Sequence, residues 1–327
     1  MAQSRPAAAA PSLERGPSGG TRVDSALSAL GAAGLWGGMY VVSKDTFSEI
    51  PPVTLGALRL LIGGALLTVL LALRGRLRWP GRPSLALAGL LLAGTLVTQF
   101  LGTDLATASE GALLTTTTPL WIAPLAWTFL DERPTPMTVA GILVGMVGVA
   151  LAVGGGLGFE RSPWGPALLL LSASGWAGYT IASAPTARRE GPLVAVTWAT
   201  IVAIPMVGAL SLLEVERWQA SAYTDPLTVG AVGYLGVAAS AGAWYLWNRG
   251  VAGLPAAVAG AFFFLQPVVG GVLARILLGE HLDALFVAGG ALILVGVLLA
   301  LRSTGVVPGR PDVRPELPRP HRTKEAP

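Results

Sequence analysis

The sequence predicts an all-α integral membrane protein in which ten transmembrane helices form two inverted five-helix repeats. Its composition is 53% apolar and only 12% charged, with a mean hydropathy of +0.64. About a quarter of the residues of a soluble domain are charged. The chain also contains ten apolar runs of about 20 residues, the length that a helix needs to cross a bilayer. Finally, the segment 119–152 returns in similar form at 267–300, which indicates an internal duplication.

The apolar runs set the expected order of elements along the chain. Residues 1–24 and 303–327 are rich in Pro, Arg and small or polar residues, and we expect both to be disordered tails. The predicted helices between them are 26–43, 53–73, 84–103, 108–129, 136–155, 165–185, 192–213, 228–248, 254–278 and 284–302. Lys and Arg lie almost entirely in the tails and in alternate loops, which predicts that both termini are cytoplasmic.

The duplication assigns five helices to each half of the chain. The copies share Pro119 with Pro267, and earlier in the chain Trp36 matches Trp176. We therefore expect one repeat over 25–155 and a second over 163–302. An odd number of crossings forces the copies to insert in opposite directions, which is the arrangement of many carriers that work by alternating access.

Several segments together carry a resemblance to a known family. They are LWGGMYVVSK and LRLLIGGALL in the first two predicted helices, and TTTTPLWIAPLAWTFLDE and FFFLQPVVGGVLARILLGE near the ends of the fourth and ninth. With the five-plus-five helix count, the chain resembles the EamA family of the drug/metabolite transporter (DMT) superfamily everywhere except in its tails. The resemblance implies a multi-pass transporter in the prokaryotic inner (plasma) membrane that exports amino acids or related small metabolites. Arg59 resembles an arginine of the family, but the second copy has Ala199 at the equivalent position.

The candidate substrate-binding residues are aromatic or polar side chains within the predicted helices. Aromatic residues three or four positions apart share one helix face, and buried amides or charges in a membrane require partners. The candidates are Trp36, Tyr40, Arg59, Gln99, Thr115, Thr118, Trp176, Tyr179, Trp244, Asn248 and Gln266. A central cavity lined by these aromatic and polar side chains would suit a neutral or zwitterionic solute. Core packing or an interfacial aromatic belt is the alternative for the aromatic residues, and a structural role is the alternative for Arg59.

Two prolines and two glutamates of the duplicated segments have predicted structural roles. Pro119 and Pro267 are expected inside their helices, where each would remove a backbone donor and break the helix. Glu132 and Glu280 are expected to stabilise the positive amino end of the helix that follows each of them.

Composition and motifs narrow the classes of function. The chain has no Cys and two His, which disfavours a metal site, and we expect no cofactor and no enzymatic activity. Membrane topology explains the pI near 9.8 better than nucleic-acid binding does. We expect a secondary transporter that exports a small molecule by alternating access. A channel or a non-transporting scaffold is the alternative, followed by a membrane-embedded enzyme. The lipid bilayer is an expected partner, and a homodimer is left open.

Overall fold

The computed structural model describes residues 19–106, 108–153, 162, 164–278 and 284–305, and this part of the chain is almost entirely helical, without strands. The α-helices are α1 Gly19–Trp36, α2 Met39–Thr46, α3 Pro52–Leu73, α4 Pro83–Leu105, α5 Ala108–Thr115, α6 Thr118–Leu130, α7 Pro136–Val153, α8 Trp164–Arg189, α9 Pro192–Ser211, α10 Pro226–Gly233, α11 Ala243–Gly253, α12 Ala256–Ala261, α13 Leu265–Leu278 and α14 Ala284–Arg302. A π-helical segment, Tyr234–Gly242, joins α10 to α11, and a 3-10 turn, Phe262–Phe264, joins α12 to α13.

The predicted all-α membrane fold is confirmed. Eight helical spans of the described residues are long and apolar enough to cross a membrane, and the shorter helix Pro136–Ala152 is also apolar. The predicted crossing at 108–129 is divided into α5 and α6 by a turn at residues 116–117, and neither part reaches that length. The count of ten crossings therefore stays a prediction. The first helix begins at Gly19, earlier than expected, and residues 1–18 and 306–327 of the predicted tails lie outside the described residues.

The two repeats interlock. The main packing partners are α7 with α14, α4 with α8, α1 with α11 and α3 with α9, and each pair joins one helix from each repeat. The core therefore lies between the repeats, and a cavity near its centre is walled by both.

Glycines that both copies share form a close contact between the repeats. A Cβ atom at Gly141 would lie 2.5 Å from the carbonyl oxygen of Gly296, and one at Gly148 would lie 2.7 Å from that of Gly289. Real Cβ atoms do not approach backbone so closely, so these positions require glycine. Their backbones bring α7 and α14 into direct contact, as small residues commonly do in membrane helix pairs.

The connection between α9 and α10, residues 212–225, is longer than the equivalent connection 74–82 of the first repeat, and it stabilises the start of α3. The Glu214 carboxylate accepts hydrogen bonds from the amide nitrogens of Val53 (3.3 Å) and Thr54 (2.8 Å) and from the Thr54 hydroxyl (2.8 Å). Carboxylates favour helix amino ends because the first amide groups lack partners within the helix. Glu214 therefore links the two repeats at this end of the bundle.

The prediction that the duplicated prolines interrupt the interior of a helix is wrong. Pro119 is the second residue of α6 and Pro267 the third of α13, so both lie in the first turn, where an amide hydrogen has no helical acceptor. The helix has already ended before each proline. The prolines that do lie inside helices are Pro124, Pro185 and Pro205.

Candidate functional site

A central cavity of about 20 Å³ lies between the two repeats. This is room for about one water molecule, so the structure shows the cavity closed around its lining residues. Its wall consists of Trp36, Met39, Tyr40, Arg59, Thr95, Leu96, Gln99, Thr115, Thr118, Ser172, Ala173, Trp176, Trp244, Phe263 and Gln266. All predicted substrate-binding residues except Tyr179 and Asn248 are on this wall.

Aromatic rings from both repeats cover one side of the cavity. The rings of Trp36 and Trp176, which the duplication pairs, meet edge to face with centroids 5.2 Å apart. Phe263 packs 5.3 Å from Trp36 and 4.9 Å from Trp247. Contacts of this kind stabilise each other beyond simple burial. The equivalent tryptophans therefore meet where the two repeats face each other.

The π-helical segment Tyr234–Gly242 holds two cavity residues in place. A π-helix shifts the backbone hydrogen-bond pattern, and such segments are frequent at functional sites. Here the carbonyl oxygen of Ala239 accepts hydrogen bonds from Trp36 Nε1 (2.9 Å) and from Arg59 Nη2 (3.0 Å). The hydroxyl of Ser240 accepts one from Arg59 Nε at 2.7 Å.

Arg59 is a buried cation that faces neutral groups. Its exposed fraction is 1%, and its guanidinium lies 5.3 Å from the ring centre of Trp244 and 5.4 Å from that of Phe100. None of the ion pairs within the described ranges includes Arg59. Ring faces and neutral acceptors stabilise the charge, and an anionic group of a bound solute would add the countercharge.

A chain of hydrogen bonds connects three helices at the opposite wall. Gln99 Nε2 of α4 donates to the hydroxyl of Tyr40 in α2 (2.8 Å), which donates to the hydroxyl of Thr115 in α5 (2.6 Å). The Thr115 hydroxyl in turn donates to the carbonyl oxygen of Gly111 at 2.6 Å. Each member of the chain fixes the orientation of the next, so the polar side of the cavity is pre-organised.

Threonine hydroxyls satisfy the carbonyl groups where α5 ends. Thr116, Thr117 and Thr118 donate to the carbonyl oxygens three residues earlier, and the Thr118 bond to Thr115 measures 2.6 Å. These carbonyls would otherwise lack partners at a helix end inside the membrane. Thr118 therefore contributes to the wall while its hydroxyl hydrogen is engaged by the backbone.

Three buried polar atoms of the wall have no hydrogen-bond partner among the described residues. They are Gln266 Nε2, Trp176 Nε1 and Thr95 Oγ1, in side chains of residues that are 3%, 7% and 3% exposed. An amide nitrogen and an indole nitrogen can only donate. Buried groups of this kind are normally satisfied, so the cavity offers at least two donors to the acceptor atoms of a solute.

Tyr179 and Asn248 lie behind the cavity wall. Asn248 Nδ2 donates to the Tyr179 hydroxyl oxygen (2.6 Å) and to the carbonyl oxygen of Trp244 (2.9 Å), while the Tyr179 ring packs 4.9 Å from that of Trp176. The structure does not place either residue on the cavity wall. They support the two tryptophans that line it.

Glu132 stabilises a different helix from the one predicted. Its Oε2 accepts a hydrogen bond from the amide nitrogen of Ala256 (2.7 Å), at the start of α12, and not from α7, which follows it. Its Oε1 pairs with Arg188 at 2.5 Å. The counterpart Glu280 lies outside the described residues.

Sequence reasoning missed several wall residues, and helical spacing could have found some of them. Thr95 lies four residues before Gln99, and Ser172 and Ala173 lie one turn before Trp176, so each shares a face with a residue already identified. Met39 likewise lies three residues after Trp36 in the sequence, although the structure places a break between α1 and α2 there. In the part of the chain that the structure describes, no group of three or more His, Cys, Asp or Glu residues could hold a metal ion.

The helical bundle, its apolar surface and its buried central cavity define a membrane transport protein. The EamA-like transporter family model matches residues 25–154 and 163–302, and the chain belongs to this family. It is 27% identical to the uncharacterized transporter YvbV of Bacillus subtilis (strain 168), over 81% of this chain and 87% of that protein. It is also 27% identical to the uncharacterized inner membrane transporter YedA of Escherichia coli (strain K12), over 86% of this chain and 92% of that protein.

A solved crystal structure has the same fold. It superposes with a TM-score of 0.73 at 24% identity, over 86% of this chain and 97% of that chain. The two family-model segments coincide closely with the two repeats predicted from the sequence.

Proposed function

We propose that this protein is a secondary transporter that exports an amino acid or a related neutral or zwitterionic metabolite by alternating access. In this proposal it resides in the plasma membrane with both termini cytoplasmic. The observation that carries the proposal is the buried cavity between the repeats, because aromatic and polar side chains of both halves line it and three of its polar atoms have no partner among the described residues.

The chemistry of the wall favours a solute with a carboxylate. Arg59 supplies a positive charge, and Gln266 and Trp176 supply donors, so an anionic oxygen group would find complementary partners. The aromatic side can contact an apolar side chain or, through its ring faces, an ammonium group. A zwitterion would therefore use both sides of the cavity while adding no net charge.

The arrangement of the repeats supports alternating access. Two halves of opposite orientation can exchange inward-open and outward-open states around a central site by rocking against each other. The breaks between α5 and α6 and between α12 and α13 border the cavity, at Thr118 and Phe263. Broken helices of this kind are common at carrier binding sites.

The test is a counterflow assay in reconstituted liposomes, with a panel of amino acids and small metabolites and with protein-free vesicles as the control. We expect saturable counterflow of at least one carboxylate-bearing solute. Gln266→Ala and Trp176→Ala should each raise the half-saturation concentration about tenfold, because each removes a buried donor to the solute.

The matched controls change the same residue types outside the cavity. Gln219→Ala and Trp127→Ala alter exposed side chains and should leave the kinetics unchanged. Flux without saturation or counterflow would indicate a channel. Absence of flux across the panel, with folded protein, would favour the scaffold and refute the proposal.

A further inference from the structure

A lysine binds the end of a helix at one end of the bundle. Lys44 Nζ donates to the carbonyl oxygens of Thr103 (3.0 Å), Asp104 (2.7 Å) and Ala106 (2.8 Å), where α4 ends. The last carbonyl groups of a helix lack partners and carry partial negative charge, so they attract a cation. We call these four residues the Lys44 corner.

An arginine has the same role at the opposite end. Arg188 Nε donates to the carbonyl oxygen of Val251 (3.2 Å) and Nη2 to that of Leu254 (3.4 Å), where α11 ends. Its third nitrogen pairs with Glu132, and Glu132 accepts the amide hydrogen of Ala256. These five residues form the Arg188 corner, and Glu132 is the member that comes from the first repeat.

The carbonyl groups of the two corners are equivalent in the duplication. Val251 and Leu254 stand at the same offset from Thr103 and Ala106 as Pro267 does from Pro119. The inverted repeat therefore places the same helix end at each face of the membrane.

The cations of the two corners are not equivalent residues. By the offset that relates Trp36 to Trp176, the counterpart of Lys44 is Ala184, one helical turn before Arg188. Different positions thus supply a cation to equivalent helix ends, which indicates that the fold needs a cation at both.

The Arg188 corner lies beyond the aromatic side of the cavity. Arg188 follows the cavity residue Trp176 on α8 by twelve positions, or about 18 Å along the helix. Towards the other end, a narrow cleft shares Met39 and Tyr40 with the cavity and shares Phe47 with a surface pocket. Residues of the cavity wall are therefore continuous with residues that reach the surface at the end that carries Lys44.

We propose that the Arg188–Glu132 ion pair is a releasable latch, which closes the cavity towards the proposed cytoplasmic face and must separate before the cavity opens there. The inference rests on the alternating access of the proposed function. The pair joins the loop between α6 and α7 of the first repeat to α8, α11 and α12 of the second, so rocking of the repeats would part it.

The exposure of the pair suits a contact that opens repeatedly. The side chains of Arg188 and Glu132 are 31% and 20% exposed. Water can therefore solvate both charges when they separate, whereas a fully buried pair would leave two uncompensated charges. Such a pair stabilises the closed state but still allows the protein to open.

The test measures access to the cavity and needs no substrate. The natural chain has no cysteine, so Ser172→Cys places a single reporter thiol on the cavity wall. A membrane-impermeant maleimide is applied to oriented vesicles from one face at a time. Glu132→Gln and Arg188→Gln should each raise labelling from the cytoplasmic face about two- to fivefold, the equilibrium change expected from a partly exposed ion pair. The charge-swapped pair, Glu132→Arg with Arg188→Glu, should return labelling towards the parent.

A second ion pair at the same end provides the control, because it also joins the two repeats but does so between α4 and α8. Arg82 and Glu190 pair at 2.5 Å with exposed fractions of 32% and 27%, and among the described residues neither side chain is hydrogen-bonded to the end of α11 or the start of α12. Glu190→Gln should leave labelling unchanged, and an equal increase in that variant would overturn the latch. The latch is also overturned if the parent is labelled from both faces and neutralisation changes nothing. Labelling from one face only, in the parent and in every folded variant, would refute alternating access itself.

Discussion

Replacement of Gly289 by alanine tests the contact that brings the repeats together. A Cβ atom at this position would lie 2.5 Å from the carbonyl oxygen of Gly148 and 2.5 Å from the amide nitrogen of Ala152. Ordinary contacts measure about 3.5–4.0 Å, so α14 would have to move away from α7 by about 1 Å or more. Both opposing atoms belong to the backbone, and no side-chain rotation can relieve the clash.

The size of the effect follows from two opposing contributions. Overpacking costs about 1–3 kcal/mol of unfolding free energy, while replacing glycine in a helix by alanine returns about 1 kcal/mol. Because Gly289 meets backbone on two sides, we expect a net loss of about 1–2 kcal/mol. The adjacent Gly290 is the matched control, since its added Cβ would meet only Val268 Cγ2, at an ordinary 3.8 Å. The Gly290→Ala substitution should leave the free energy of unfolding unchanged or raise it by up to about 1 kcal/mol.

Thermal unfolding of the purified variants in one detergent measures the difference, with the fluorescence of the ten tryptophans as the signal. A gap of about 2 kcal/mol corresponds to about 3 °C in Tm for a chain of this length. If Gly289→Ala unfolds at the same temperature as Gly290→Ala or above it, the inferred backbone contact between α7 and α14 is refuted.

Two further predictions concern polar contacts between elements. Glu214→Ala removes the acceptor for the amide hydrogens of Val53 and Thr54, so the free energy of unfolding should fall by about 1–2 kcal/mol in the same unfolding assay; an unchanged Tm would contradict the assigned cap. Tyr40→Phe deletes the hydroxyl between Gln99 and Thr115, and it should weaken solute binding about tenfold in the counterflow assay while leaving Tm within a few degrees; unchanged half-saturation would exclude this chain of hydrogen bonds from the site.

The fold was largely predictable because its main determinants are local. The length of each apolar run fixes where a helix can cross the hydrocarbon, and the duplication fixes which residues are equivalent. Several equivalent residues lie where the repeats meet: Trp36 contacts Trp176, and Gly141 and Gly148 pack on Gly296 and Gly289. The tryptophans contact their own counterparts, whereas each of these glycines contacts the counterpart of the other.

Helix breaks were harder to place from sequence. A proline indicates an interruption, but the sequence does not show whether the helix bends at the proline or ends before it. At Pro119 the helix ends before the proline, because threonine hydroxyls satisfy the last carbonyls of α5 and allow a new helix to begin. The π-helical segment Tyr234–Gly242 has no compositional signal, because its residues also suit an α-helix.

Helical periodicity predicted part of the site, because it shows which residues share a helix face. Spacing identifies residues on one face, but not how the helix is rotated in the bundle, so Tyr179 and Asn248 were placed in the wall that they support from behind. The partner of Glu132 was beyond sequence reasoning for a different reason. Ala256 is distant in the chain, and only the packing of the second repeat brings its amide to the carboxylate.

The Glu214 cap has a consequence for the energy difference between access states. Two identical inverted halves would make the states related by the pseudo-twofold axis equal in energy, and a carrier would rest equally in both. The connection that holds Glu214 is longer than its equivalent in the first repeat and binds α3 at only one end of the bundle. In the proposed cycle such a contact would make the two access states unequal, and each 1.4 kcal/mol of asymmetry would shift the resting populations about tenfold. Sequence change in this connection would then alter the resting orientation of the proposed carrier without altering the residues that line its cavity.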